Sequence, residues 1–239
     1  MFNILRMSWF EFKKFFCKKA IYIYLIIFCL FAGPLLNKLA DPQNIELFEG
    51  KISHIKLLPV VYLVFMLFVY SINILLEDYH NGTVTFLFTS KMSRAEILFS
   101  KVLAISSLGI MLGIINYFFN ICLKFNLREL NYLCGCNIIF MYLLFSWFTG
   151  NYFLFISSIF KSRFASFLVG IFLLLCMSDI SLVIKNKISS ALFELNPFDN
   201  FMLILGENKI GPLKIIGLIS FGVIFFWLAV IIFNKKDLS

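Results

Sequence analysis

Residues 57–76 read LLPVVYLVFMLFVYSINILL, twenty positions from Leu57 to Leu76 without a charge. Twenty residues at 1.5 Å each cross a hydrocarbon core of about 30 Å, so a run of this kind is the sequence form of a spanning helix. Fourteen of its residues are Leu, Ile, Val or Phe. At roughly 0.3–0.6 kcal/mol each they favour insertion by about 4–8 kcal/mol, which outweighs the lone Asn73. Similar runs extend from Ala20 to Leu36, Lys101 to Leu123, Ile138 to Phe160, Phe164 to Ile184 and Leu213 to Phe233. The sequence therefore predicts an all-α, polytopic membrane protein with six transmembrane helices, forming a single membrane domain over 1–239.

Composition agrees. Of 239 residues 61% are hydrophobic and 14% charged, with a mean hydropathy of +0.94, whereas soluble domains are about half apolar and one quarter charged. The net charge of +8 would suit nucleic acid in a soluble protein. Here the basic residues flank the apolar runs, so topology and anionic headgroups account for them and no nucleic-acid partner is expected. The 32 Phe accompany abundant Ile, Asn, Lys and Tyr, the mark of an AT-rich genome rather than of an aromatic cavity. Six scattered cysteines, with only Cys134 and Cys136 close together, read as free thiols. His54 and His80 fall in no HExxH or paired CxxC pattern, so no metal site is expected.

Before the first run, residues 1–19 hold five basic residues: Arg6, Lys13, Lys14, Lys18 and Lys19. Phe2, Leu5, Trp9, Phe12 and Phe16 share a helical face that excludes Lys13 and Lys14, which predicts an interfacial helix on the membrane surface. A plain basic anchor is the simpler alternative. Counted by side, twelve of the 21 basic residues fall with the N-terminus, the 77–101 loop, the 161–163 turn and the C-terminus. Both termini are therefore expected to be cytoplasmic, in a multi-pass protein of the cell membrane. On the other side, residues 185–212 contain the N-cap signal Asn196-Pro197, the apolar face of Phe198, Phe201, Met202 and Leu205, and the stop Gly206. Short outer re-entrant or interfacial helices are expected there, before the last span.

The cytoplasmic loop between the second and third spans, residues 77–100 with Lys101 beyond, carries the densest local signals. Asn81-Gly82 permits a tight reversal, and Thr83 can cap a short helix whose apolar face is Val84, Leu87 and Phe88. Ser93 and Glu96 are spaced as a capping box at the start of the third span. A helical elbow results.

Glu77, Gly82, Thr83, Leu87, Ser93, Arg94 and Lys101 match, in order and spacing, a loop in the type-2 ABC transporter permeases, which the chain resembles. Lys91 stands where that pattern has Pro, and Phe88 replaces a second Leu. The N-terminal helix, the six runs, the short turn at Lys161-Ser162-Arg163 and Asn196-Pro197 extend the resemblance over the whole chain. The resemblance implies a coupling helix seated on a separate ABC ATPase subunit, with Glu77 and Arg94 bracing the elbow and Val84, Leu87 and Phe88 filling the partner's groove. It further implies a second permease copy, as homodimer or related heterodimer. The chain would then be the membrane subunit of an ATP-driven exporter of a hydrophobic or amphipathic substrate such as a peptide, antibiotic or lipid-like molecule. A solvated turn is the bland alternative for the loop. The functional alternative is a peptide-binding immunity or sensory protein that does not transport.

The chain itself has no GxxxxGK[ST] loop: Gly206 to Gly211 is followed by Pro212. ATP and Mg would be bound by the partner, this subunit carrying no cofactor and no enzymatic site. Gly109 and Gly113 form a GxxxG pair suited to close helix contact, within the chain or between copies. Asp179 is either a solvated helix end paired with Lys185 or Lys187 or a functional group. Asn73, Asn116, Asn120 and Asn151 either line a polar pathway or bond between helices, and no substrate-binding residue is assigned.

Overall fold

Each apolar run that falls within the described part of the chain is helical, as a backbone surrounded by hydrocarbon must satisfy its own hydrogen bonds. The computed structural model describes residues 2–18, 22, 26, 28, 52–82, 92–127, 135–160, 162–184 and 211–235. Their helices are α1 (Phe2–Phe16), α2 (Ile52–His80), α3 (Arg94–Leu127), α4 (Gly135–Ile159), α5 (Arg163–Ile184) and α6 (Pro212–Lys235), with no strand among the described residues. The run from Ala20 to Leu36, the loop residues Thr83–Lys91 and the outer segment 185–210 lie outside them, apart from single positions of the first.

Four helices are long and apolar enough to cross a membrane: Val60–His80, Arg94–Cys122, Asn137–Ile159 and Pro212–Lys235. In α5 the described apolar helix covers Arg163–Leu174. Helix α4 is the centre of the bundle, touching α2, α3, α5 and α6. Phe145, Phe148, Phe153 and Leu154 are fully buried along it.

The closest approach is between α3 and α4, and it uses both members of the GxxxG pair. A Cβ on Gly109 would run into the Ser146 side chain and lie 2.8 Å from the Tyr142 carbonyl oxygen. A Cβ on Gly113 would lie 3.0 Å from Ile139 Cα and from Tyr142 Cβ. The pair therefore serves packing within the chain. Next to it, α4 and α5 are joined by the short turn the sequence predicts, with Ser166 N–H bonded to the Ser162 carbonyl at 3.0 Å. Tyr152 Oη donates to the Gly170 carbonyl at 2.8 Å, fixing α5 on α4.

Both ends of the predicted elbow have the expected local geometry. Gly82 takes φ +67°, the left-handed conformation that ends a helix at low steric cost, and its N–H bonds the Tyr79 carbonyl at 3.3 Å. At the other end Ser93 N–H donates to Glu96 Oε2 at 2.7 Å while Glu96 N–H donates to Ser93 Oγ at 3.3 Å. That reciprocal pair is the capping box, and it opens α3.

Candidate functional site

A lysine two turns inside an apolar helix has to find anions or return to water, and Lys101 of α3 is fully buried. Its ammonium has three hydrogens and three acceptors. Lys101 Nζ donates to Glu11 Oε1 at 2.9 Å, to the Ile74 carbonyl at 2.9 Å, and to the Asp78 carboxylate. Helices α1, α2 and α3 thus meet at one buried cation.

Two further lysines complete the cluster. Lys14 lies 3.5 Å from Asp78, 3.9 Å from Glu77 and 4.0 Å from Glu11, and Lys18 is paired with Glu77. Three carboxylates therefore face three ammonium groups. Their exposure grades outward from Lys101 at 0% through Asp78 at 4% and Glu11 at 6% to Lys18 at 34%. Energetic weight follows that gradient, since desolvated pairs are strongly coupled while exposed ones are screened.

Helix α1 is held by apolar contacts as well. The Phe15 ring meets the Tyr70 ring edge-on with centroids 4.4 Å apart, and Tyr70 Oη donates to the Glu11 carbonyl at 3.2 Å. Ser8, Glu11 and Phe15, spaced by three and four, form its buried face. Of the apolar stripe read from the sequence, Leu5 and Trp9 are exposed while Phe12 and Phe16 are partly buried against the core. The amphipathic pattern marks the outward side and its edge. The inward side is marked by Glu11, the one acid among residues 1–19, and that single acid in a basic, aromatic helix was the available signal.

At the other end of the loop, Arg94 reaches the last helix. Arg94 Nη1 donates to the carbonyls of Phe233 at 2.8 Å and Asn234 at 3.0 Å, in the last turn of α6. The rings of Tyr79 and Phe233 stand 6.3 Å apart beside it. One end of the bundle therefore carries α1, both ends of the loop and the end of α6.

Of the residues predicted to couple the chain to a partner, Glu77, Gly82, Ser93 and Arg94 are brought to this end. Thr83, Val84, Leu87 and Phe88 lie outside the described residues. Glu77 is braced by Lys14 of α1 and by Lys18 just past its end, and Arg94 is braced by α6. Among the described residues no group of three His, Cys, Asp or Glu could hold a metal ion. The asparagines of the spans bond within their own helices: Asn73, Asn120 and Asn151 each donate to the carbonyl four residues earlier. No protein-family model matches the chain, and no curated protein matches it.

Proposed function

We propose that the chain is the permease subunit of an ATP-driven exporter of the type-2 ABC class, and that residues 77–101 dock a separate nucleotide-binding subunit. One observation carries the proposal: both ends of the loop are fastened to other helices by charged groups. Glu77 and Asp78 are held by α1 and Lys101, and Arg94 holds the end of α6. A force on residues 81–93 is passed to α1, α2, α3 and α6 together. A solvated turn has no need of such fastening.

On this reading the run from Ala20 to Leu36 is the first of six spans and both termini are cytoplasmic. Helix α1 lies at the membrane surface with Leu5, Trp9 and Phe10 toward lipid, and the complex contains two permease copies and two ATPases. The cargo is hydrophobic or amphipathic.

Affinity purification from native membranes is expected to recover a protein with a phosphate-binding GxxxxGK[ST] loop, whose ATPase rate changes when this subunit is added. Alanine at Glu77 or Arg94 is expected to abolish export while leaving insertion intact. Recovery of no ATPase, or normal export by both variants, refutes the reading.

A further inference from the structure

Helix α6 is the least enclosed of the four candidate spans: 28% of its apolar window is buried, against 67% in each of the others. It packs along α4, and at one place the fit is tight. A Cβ on Gly222 would lie 2.5 Å from Trp147 Nε1 and 3.5 Å from Asn151 Nδ2, so only a glycine lets the helices close there. Both side chains belong to α4, four residues apart, on one face. Trp147 is the eleventh and Asn151 the fifteenth residue of the 23-residue span, and Gly222 is the eleventh of 24 in its own. All three sit near the middle of the hydrocarbon layer.

Two polar atoms at this place have no hydrogen-bond partner among the described residues: Trp147 Nε1 and Asn151 Oδ1. Asn151 is fully buried; its Nδ2 donates one N–H to the Trp147 carbonyl at 2.8 Å, while its oxygen accepts from no described residue. The indole nitrogen can only donate. Unpaired polar groups are costly in hydrocarbon, where water cannot replace the lost bond. Asn73 and Asn120 also bond within their own helices, yet neither leaves an unpartnered atom of this kind.

We propose that Trp147 and Asn151 are a binding site for a peptide amide edge, reached when α6 shifts away from α4 at Gly222. One residue of an extended peptide presents its N–H and C=O on the same edge. The C=O takes the Trp147 N–H and the peptide N–H gives to Asn151 Oδ1, so one ligand residue satisfies both orphan atoms. Phe99 and Phe226, whose rings lie 6.4 Å from Trp147 and 6.0 Å from Phe99 respectively, supply an apolar border for the flanking side chains. That this peptide is cargo rests on the permease reading; that it binds does not.

The test uses the full chain in lipid nanodiscs without any ATPase, probed with N-acetyl-trileucine methylamide and with its analogue in which esters replace the internal amides. The ester analogue keeps the carbonyls and loses the N–H donors. Isothermal titration calorimetry is expected to show the amide binding about 3- to 30-fold more tightly than the ester, the range of one hydrogen bond in a membrane protein. In Asn151→Leu that preference disappears, with ester binding unchanged, while Trp147→Phe weakens both ligands. Equal binding of amide and ester to the unmutated chain overturns the site whether or not the variants fold, and so does a preference that survives in Asn151→Leu. Absence of peptide binding combined with an Asn151→Leu chain that loses a partner on native gels overturns it in favour of a helix–helix contact. Absence of export by the unmutated chain in native membranes, with the amide preference intact, removes the permease role and leaves the site; export without an amide preference removes the site alone.

Discussion

Replacing Lys101 by Met tests the buried ion cluster most directly. The methionine fills much the same volume, and what it removes is a cation bonded to Glu11 and Asp78, whose side chains are 6% and 4% exposed. Breaking one side of a buried ion pair costs about 3–5 kcal/mol, because the remaining charges stay out of water. Lys14 is already 3.5 Å from Asp78 and 4.0 Å from Glu11 and recovers part of that, which places the expectation near 3 kcal/mol, on the order of a hundredfold in an equilibrium. The loss is also capped, since α1 can detach and let the carboxylates hydrate. Detachment is therefore the quantity to measure. Ser8 is 7% exposed on the docked face of α1, so Ser8→Cys in a background lacking the native cysteines reports opening through its labelling rate. Lys101→Met is expected to raise that rate about a hundredfold, and Glu11→Gln with Asp78→Asn added to it is expected to restore most of the protection. Lys18→Met, which removes a cation that is 34% exposed, should change the rate by less than about fivefold. A rate that rises less than threefold in Lys101→Met means that the cluster does not hold α1.

Three other outcomes follow from single contacts. Gly109→Ala drives a Cβ into Ser146 and toward the Tyr142 carbonyl, so a melting assay in detergent should show a loss of about 1–3 kcal/mol, whereas Gly211→Ala, with nothing within 4 Å of its Cβ, should be silent there. Ser93→Ala removes one half of the capping box and should destabilise the first turn of α3 by about 1 kcal/mol, visible as roughly fivefold faster amide exchange at Ile97 and its neighbours. Arg94→Ala removes the bonds to the carbonyls of Phe233 and Asn234; proteolysis at the end of α6 should accelerate by an amount corresponding to about 1–2 kcal/mol, and Arg94→Lys should recover only part of it because one ammonium replaces a planar fork. Unchanged proteolysis in Arg94→Ala would show that the end of α6 is held by other contacts.

The helices among the described residues were readable because hydrocarbon imposes one rule on the backbone, and apolar length reports it directly. Capping at Ser93 and Glu96 and the left-handed Gly82 were readable for the same local reason: each depends on residues within one turn. The partners of Glu77 and Arg94 were not, because they lie 59 and about 140 positions away, in Lys18 and in Phe233 and Asn234. Sequence spacing carries no information on contacts of that kind. The orientation of α1 shows the limit of the amphipathic pattern in a membrane: lipid and protein interior are both apolar, so Leu5 and Trp9 face outward while the buried face contains Ser8 and Glu11. In such a setting the odd polar residue points inward more reliably than the hydrophobic ones do.

That rule bears on how the chain can assemble. Lys101 lies seven residues beyond Arg94, about 10 Å along α3, a depth at which an unpaired ammonium opposes insertion of the helix. Asp78 comes from the preceding span and Glu11 from the N-terminal helix, so both counter-charges are synthesised before Lys101 enters the bilayer. Helix α3 sits at the depth where Lys101 Nζ reaches Glu11, Asp78 and the Ile74 carbonyl together. The same three contacts then fix the vertical register of α3 against α1 and α2. Because Ser93 and Arg94 start that helix, the register also sets how far the far end of the 77–101 loop projects from the bundle. A buried cation with three fixed acceptors removes the freedom of α3 to slip by a turn against α1 and α2.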